Sequence, residues 1–344
     1  EAFVDASAMT DAEAKLTLNG DGEVRVTEAF REVDASGLSG DLDLDSATNA
    51  DFLVTAGTGK TTVTSSQNSD LEIDAALISG DGDRGTYELI VDGNGGNADV
   101  TGLDADLDGS GLVGTLDVVT KENAVVSVKA SESNTLIDAV GVDSDVIVSA
   151  ASTPGNFYVG VEGSGDFTVN DVGDSVFINA DGQNGQSVLA GALEVNLDGN
   201  ADATINTGVA ETRVAGDGGS ATINADELAN NTALTVAGSS DMTVDALIGD
   251  VVTDGASGVL TVTTADQTVA DGINIETSNT TTNITADDRS TEVTVDATDL
   301  QDDGLLDLSG ESTFDVDHLK GNLVIDGIIS DPTAEADRTL DVSL

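Results

Sequence analysis

Leu234-Thr-Val-Ala-Gly-Ser-Ser-Asp-Met-Thr-Val-Asp-Ala246 consists of two short runs of alternating apolar and polar residues joined by a Gly-Ser-Ser-Asp corner. Strict alternation over four to six residues is the signature of a strand with one buried face. The pattern predicts that Leu234 and Val236 point inward from the first strand, and Met242 and Val244 from the second. The glycine supplies a positive φ angle at the corner, and its polar neighbours bond to their own backbone.

This unit of strand, glycine corner and strand recurs along the chain with small variations. The repetition indicates a fold in which one short supersecondary unit is used many times. The further copies begin at Leu16-Thr-Leu18, Val159-Gly-Val161, Val195-Asn-Leu197, Thr212-Arg-Val214 and Leu306-Asp-Leu308.

A second recurring motif has a branched residue, then Asp or Asn, then Ala, two free positions and an apolar residue. We interpret the small Ala as the residue that fits where the chain bends inward at a strand end, and the later apolar residue as a plug that closes the layer. The copies run from Val4 to Met9, Val33 to Leu38, Ile73 to Ile78, Ile137 to Val142, Ile223 to Leu228 and Val295 to Leu300.

From Val33 onward, short strand patterns follow one another at intervals of about nine to twelve residues, which favours an all-β fold. Aromatic residues make up only 3% of the chain, and the apolar positions are mostly Val, Leu, Ile and Ala. A narrow aliphatic interior is typical of stacked coils, so the sequence predicts a parallel β-solenoid. The spacing of Gly199, Gly216 and Gly238 suggests coils of about 17 to 25 residues. Tandem β-sandwich domains remain the alternative.

The predicted organisation has three parts. Residues 1–32 form a lead-in or cap with short strands, 33–329 form the repetitive solenoid, and 330–344 form a tail or final strand. The turn signal around Pro154 suggests a break near 152–156. Because the chain has no initiating Met, Glu1 is expected to be the start of a processed or excised fragment.

The composition is strongly acidic, with 65 Asp and Glu against 11 Lys and Arg and a formal net charge of -54. Such a field repels nucleic acid and attracts divalent cations, so no nucleic-acid partner is expected. The 39% hydrophobic content and the regular alternation argue against disorder. No run approaches eighteen apolar residues, so no membrane span is predicted. With no Cys, no disulfide holds the fold.

The sharpest motif for metal binding is Asp104-Ala-Asp106-Leu-Asp108-Gly109. Three carboxylates at every second position followed by Gly are typical of a loop that wraps oxygen ligands around Ca²⁺. The twelfth position of a complete helix-loop-helix site would be Glu but is Thr115, so a strand edge with solvent-facing Asp is the alternative. Further candidate ligands at acidic corners are Asp81, Asp83, Asp198, Asn200 and Asp202.

The repeated corners also suggest a shared cation-binding edge. Asp241 and its counterparts Asp166, Asp202 and Glu23 lie beside glycine turns, and stacked coils would align them in a row.

Catalytic signals are sparse, and the sequence predicts that the protein is not an enzyme. The only His is His318, at a position where other copies have the Ala of the bend. A β-helix enzyme acting on polysaccharide would need a cleft that gathers carboxylates with Lys121, Lys129 or Arg213. Thr-rich segments such as 280–285 suggest ice binding as a further alternative. It is a weaker one, because the sequence shows no flat array at constant coil length.

Segments such as Val33-Asp-Ala-Ser-Gly-Leu-Ser-Gly-Asp-Leu-Asp-Leu44 and Leu234–Ala246 resemble the repeats of bacterial surface-layer proteins and of large RTX-type calcium-dependent adhesins. The resemblance implies an exported protein that folds outside the cell in calcium and assembles laterally on the bacterial surface. The tandem nonapeptides of RTX proteins are absent.

These observations lead to one functional prediction. The chain is expected to be a structural extracellular module that binds Ca²⁺ and self-assembles into a lattice or fibre, with cell-surface polysaccharide as a further partner. The alternatives are a polysaccharide-acting enzyme and an adhesin for a surface ligand.

Overall fold

The computed structural model describes residues 1–9, 11, 13–80, 87–173, 175–182, 187–265, 272–288, 291–326 and 340–343. Within them the chain forms strands, turns and no helix, so no helix is available there to cross a membrane. Consecutive strands alternate between two parallel sheets, which makes a β-solenoid of about 15 turns. The predicted fold class is therefore confirmed, and the sandwich alternative is wrong, because every pairing between the described strands is parallel.

The chain divides into two compact units, residues 1–171 and 172–344. The strands of the first unit are β1 Ala2–Asp5, β2 Lys15–Gly20, β3 Val24–Ala29, β4 Glu32–Leu38, β5 Leu42–Ser46, β6 Phe52–Thr55, β7 Thr61–Ser65, β8 Leu71–Asp74, β9 Tyr87–Gly93, β10 Ala98–Leu103, β11 Asp106–Asp108, β12 Leu116–Thr120, β13 Val125–Lys129, β14 Thr135–Ala139, β15 Asp145–Ser149, β16 Tyr158–Gly163 and β17 Asp166–Val172.

The second unit begins at the last residue of β17 and continues with strands of the same kind. They are β18 Phe177–Asn179, β19 Leu193–Leu197, β20 Asp202–Asn206, β21 Thr212–Gly216, β22 Ser220–Asn224, β23 Ala233–Gly238, β24 Asp241–Leu247, β25 Asp250–Asp254, β26 Val259–Thr264, β27 Ile273–Glu276, β28 Thr281–Ala286, β29 Glu292–Asp296, β30 Leu305–Gly310, β31 Thr313–Asp317, β32 Asn322–Asp326 and β33 Leu340–Val342.

Within each unit, odd-numbered strands pair with odd-numbered strands and even-numbered with even-numbered. We call these the odd sheet and the even sheet, and one coil contributes a strand to each. Among the described pairs, the shortest separation is 17 positions, as from Lys15 to Glu32, and the longest is 28, from Thr61 to Leu89. The predicted range of 17 to 25 was therefore too narrow, because some connecting turns are longer than the glycine spacing implied.

The core lies between the two sheets and consists of the inward side chains of the alternating runs. Leu234, Val236 and Val244 are fully buried and Met242 is 3% exposed, as predicted. Gly238 turns the chain from the odd to the even sheet with a φ of 86°. The stretch is thus a coil corner in which the two flanking strands enter different sheets, and each pairs with its counterparts in neighbouring coils.

The bend motif is confirmed for its alanines and for most of its plugs. All six bend alanines are buried, and so are the plugs Leu38, Ile78, Leu228 and Leu300. Met9 is only partly buried, and Val142 has 74% of its surface exposed, so the plug interpretation is wrong for the Val142 copy. Gly141 before it adopts a φ of 93°, which places that turn in a different backbone conformation.

The predicted parts of the chain fall within the two units as follows. In residues 1–32, β1 and β2 already pair with β3 and β4. Residues 152–156 lie within the connection between β15 and β16 in the first unit. In the predicted tail, β33 pairs with β31.

Candidate cation site

The segment with the sharpest calcium motif is folded as a strand with corners at both ends. Asp106 and Asp108 bound β11, and Leu107 between them is fully buried. The Oδ1 of Asp106 accepts a 2.6 Å hydrogen bond from the backbone N–H of Ser127 in the next coil. Asp104 accepts a 2.9 Å bond from the ammonium of Lys121.

Asp108 is held by donors on both of its carboxylate oxygens. Its Oδ2 accepts a 2.7 Å bond from Lys129 Nζ, and its Oδ1 accepts bonds from the N–H and the hydroxyl of Ser110. Burial alone would raise the pKa of Asp108, but the bonds from Lys129 and Ser110 outweigh burial and lower it. Lys129 also lies 4.0 Å from the ring centre of Tyr87. This carboxylate therefore anchors a turn and an ion pair.

The three carboxylates do not fit a calcium cage in this arrangement. A Ca²⁺ site needs about six to eight converging oxygens, whereas each of these side chains bonds to its own protein donor. Across the described ranges, no group of three or more His, Cys, Asp or Glu is placed to hold one metal ion.

The other predicted ligands lie apart from this segment. Asp81 and Asp83 fall outside the described residues. Asp198 and Asn200 are exposed in the turn between β19 and β20. Asp202 opens β20 and accepts a 2.7 Å hydrogen bond from the hydroxyl of Ser220.

The predicted row of corner carboxylates is divided between sheets. Asp202 and Asp241 lie in one column of the even sheet of the second unit, with Ser220 between them. Asp166 belongs to the odd sheet of the first unit, where its partner is Asp145, and Glu23 precedes β3 of that same sheet. A single shared edge is therefore wrong, because equivalent corners lead into different sheets.

Many acidic corners have a role that the sequence reasoning missed. An Asp or Asn at or just before the start of one strand accepts a hydrogen bond from a backbone N–H of the next coil. This bond satisfies a donor where the ladder begins. The sequence signal is Asp or Asn immediately before or at the first residue of each apolar alternation. Written as backbone N–H donor and then side-chain acceptor, the bonds are Lys60 to Asp41, Asp70 to Asp51, Asn97 to Asp70, Thr115 to Asn97, Tyr158 to Asn134, Val259 to Asp241 and Asn274 to Asp250.

A column of like charges lies on the outward face of the even sheet of the first unit. Glu72, Asp99 and Asp117 occupy one position in three successive coils, and we call them the carboxylate column. Adjacent strands are about 4.8 Å apart, so these side chains are close neighbours. Burial raises the pKa of Asp117 above its ordinary value, and the charges of Asp99, Glu162 and Asp138 raise it further.

A shallow depression of about 350 Å³ adjoins this column, and Asp51, Asp70, Glu72 and Asp99 are among the residues that line it. Its lining is rich in carboxylates and contains neither Lys nor Arg. The arrangement raises the local negative potential and attracts cations, while providing no fixed coordination geometry.

No protein-family model matches this chain, and neither does any curated protein or solved structure.

The one histidine is on the surface in the second unit. His318 aligns with the bend residue Ala297, since Asp317 pairs with Asp296. The backbone of His318 adopts a φ of 59°, its side chain is 66% exposed, and its Nδ1 lies 3.4 Å from Asp296. Ala297 is buried, whereas the histidine at the equivalent position of the next coil turns its side chain to the solvent.

The cationic residues considered for an enzyme cleft are each engaged separately. Lys121 pairs with Asp104 and Lys129 with Asp108, while Arg213 contacts Glu194 and Asp254. Each pair lies on a sheet surface or corner as an inter-coil contact.

Proposed function

We propose that this chain is a non-enzymatic structural module of an extracellular layer or fibre on a bacterial surface. The observation that carries the proposal is the in-register stacking of coils in each unit, with aliphatic residues inside and polar residues outside. Such a ladder is stiff because each coil is paired on both sides. The repeated motifs quoted above and their resemblance to surface-layer repeats support the same role.

Calcium acts in this proposal as a counterion for the whole surface. The formal charge of -54 and the carboxylate column oppose compaction through like-charge repulsion. Divalent cations at millimolar concentration would offset this repulsion by bridging carboxylates of neighbouring coils. The predicted ligands Asp104, Asp106 and Asp108 need not form a cage for this effect.

Self-association would use the strand edges of the ladders. Within the described residues, β1 pairs only with β3, and β32 pairs only with β30. Phe3 in β1 is 67% exposed, and Val324 and Ile325 in β32 are 43% and 41% exposed. An edge strand with exposed apolar side chains is a template for pairing with a second copy.

The test is circular dichroism and light scattering of the full chain in calcium, in EGTA, and in EGTA with NaCl at matched ionic strength. We expect strand content and particle size to increase with calcium beyond the effect of NaCl. Equal folding and equal monomeric size in calcium and EGTA would refute the calcium-assembly proposal.

A pair of triple variants locates the effect. Changing Glu72, Asp99 and Asp117 to Gln, Asn and Asn removes three charges from the carboxylate column. The control changes the exposed turn residues Glu122, Glu132 and Asp143 to amides and removes the same charge. Calcium should increase the strand content and particle size of the column variant less than those of the control. Identical responses of the two variants would show that calcium acts through the net charge and not through the carboxylate column.

A further inference from the structure

The outward face of the even sheet in the second unit carries a column of hydroxyl side chains. Thr204, Thr222, Thr243 and Thr261 occupy the same position in four successive coils, and Asn283 continues the column in the fifth. The separations along the chain are 18, 21, 18 and 22 residues, so the register is kept while the coil length varies. The extra residues are accommodated in the turns.

A second, shorter column lies beside the first, two residues further along the strands. Thr263, Thr285 and Ser309 face outward in three successive coils. Together with the five residues of the first column, these eight side chains form what we call the threonine array. Neighbouring positions are about 4.8 Å apart between strands and about 6.6 Å apart along a strand.

The array is uncharged in a chain that carries 65 acidic residues. Aspartates border it on several sides: Asp202 and Asp241 lie two residues before Thr204 and Thr243, and Asp245 lies two residues after Thr243. Asp307 follows Asn283 in the first column, and Asp326 pairs with Ser309 of the second. Charged groups orient liquid water strongly around themselves, so their exclusion from the eight positions leaves a patch of hydroxyl and methyl groups and the one carboxamide of Asn283.

Part of the array bonds to itself, and part is available to solvent. Asn283 donates to the hydroxyl of Thr261 at 3.3 Å, and the hydroxyls of Thr285 and Ser309 are 2.9 Å apart. Within the described part of the chain, the hydroxyls of Thr204, Thr222 and Thr243 make no hydrogen bond to protein. These three can each hold a water molecule at the repeat distance of the sheet.

We propose that the threonine array is a binding face for ice. A rigid two-dimensional set of hydroxyls fixes waters at regular intervals, and the threonine methyls between them restrict how those waters reorient. Water ordered in this way resembles the lattice of ice more closely than bulk liquid water does. A crystalline polysaccharide is the competing regular surface, but its recognition favours aromatic platforms, and the array contains no aromatic side chain.

The test compares the wild-type chain with two matched tyrosine variants, under ionic conditions in which circular dichroism shows the strand signal. Thr243→Tyr places a bulky ring in the middle of the array. Thr235→Tyr places the same ring on the outward face of the odd sheet, between Arg213 and Val252. The readouts are thermal hysteresis and incorporation of labelled protein into a slowly growing ice surface.

Wild type and Thr235→Tyr should enter the ice and show hysteresis, and Thr243→Tyr should lose both. If Thr243→Tyr fails to fold, Thr222→Lys replaces it, because Thr222 is already exposed and the lysine adds charge without a buried contact. Exclusion of the wild type from ice overturns the proposal. So does equal loss in both tyrosine variants, or binding to crystalline cellulose or chitin in the absence of ice binding.

Discussion

Individual acidic residues in this protein are distinguished by what lies opposite them. Asp34 accepts hydrogen bonds from Ser36 and from Lys15, and these bonds lower its pKa to about 2. Asp117 faces Asp99 instead, and its pKa is raised. The first carboxylate stabilises the folded chain when ionised, whereas the second is destabilising when ionised.

Asp117→Asn should therefore stabilise the protein at neutral pH. A directly opposed like-charge pair on a sheet costs about 0.5 kcal/mol, so the free energy of unfolding should rise by about that amount. Because the folded-state pKa of Asp117 lies above its unfolded value, its destabilising effect is present at pH above the folded pKa and fades as the pH falls through it. Urea denaturation at pH 7 and at pH 3 measures both effects.

Glu122→Gln, in an exposed turn of the same unit, is the control for this substitution. It removes one charge without relieving a direct pair, and should shift the midpoint less. A destabilised Asp117→Asn would show that this carboxylate makes an interaction outside the column.

Within a strand, the alternation of apolar and polar residues in the sequence predicts which side chains are buried. The sequence does not predict the conformation of the turns between strands. The burial of Leu234, Val236, Met242 and Val244 follows from period-two patterning alone. Val142 was wrongly predicted to be buried, because its copy of the bend motif continues into a turn in which Gly141 adopts a positive φ. The sequence also could not reveal the threonine array, because its members align only when the length of every intervening turn is known.

Ala246 shows a further feature of a strand that patterning cannot reveal. It has a φ of 56° where the pairing of β24 with β26 shifts register. Gly102 adopts a φ of 70° at the corresponding shift between β10 and β12. The same bulge is thus built with Gly102, which tolerates positive φ, and with Ala246 and Glu28, whose side chains disfavour it.

Ala246→Gly is expected to stabilise the second unit. Relief of the left-handed conformation gains roughly 1 to 2 kcal/mol, and the added freedom of the unfolded chain offsets part of it, so the net gain should be about 0.5 to 1 kcal/mol. Thermal unfolding followed by circular dichroism measures the shift.

Gly102→Ala provides the reverse substitution at the matching bulge. A Cβ there would lie 3.1 Å from the Cβ of Ala76, in a backbone conformation that alanine disfavours, so this variant should be destabilised. Stabilisation by both substitutions, or by neither, would contradict the account of the bulge.

For the chain as a whole, charge and architecture oppose each other. The coils place carboxylates at facing positions of neighbouring strands, while hydrogen bonds from backbone N–H groups and from the few lysines compensate only some of them. From the net charge alone, the sequence predicts an attraction for cations. It placed that attraction at loops such as 104–109, and the structure shows those oxygens bonded to protein.

The stability of the whole molecule should consequently rise with salt. At an ionic strength of about 0.1 M the screening length is about 10 Å, which covers the spacing between carboxylates of neighbouring coils. The midpoint of thermal unfolding should therefore increase when NaCl is raised from low to physiological concentration at constant pH. Replacing NaCl by CaCl₂ at equal ionic strength should increase it again, because one divalent ion can bridge two carboxylates. A midpoint that does not change with NaCl would mean that the charge repulsion is equally strong in the unfolded chain. An equal increase with NaCl and with CaCl₂ would show that screening accounts for the effect without bridging by calcium.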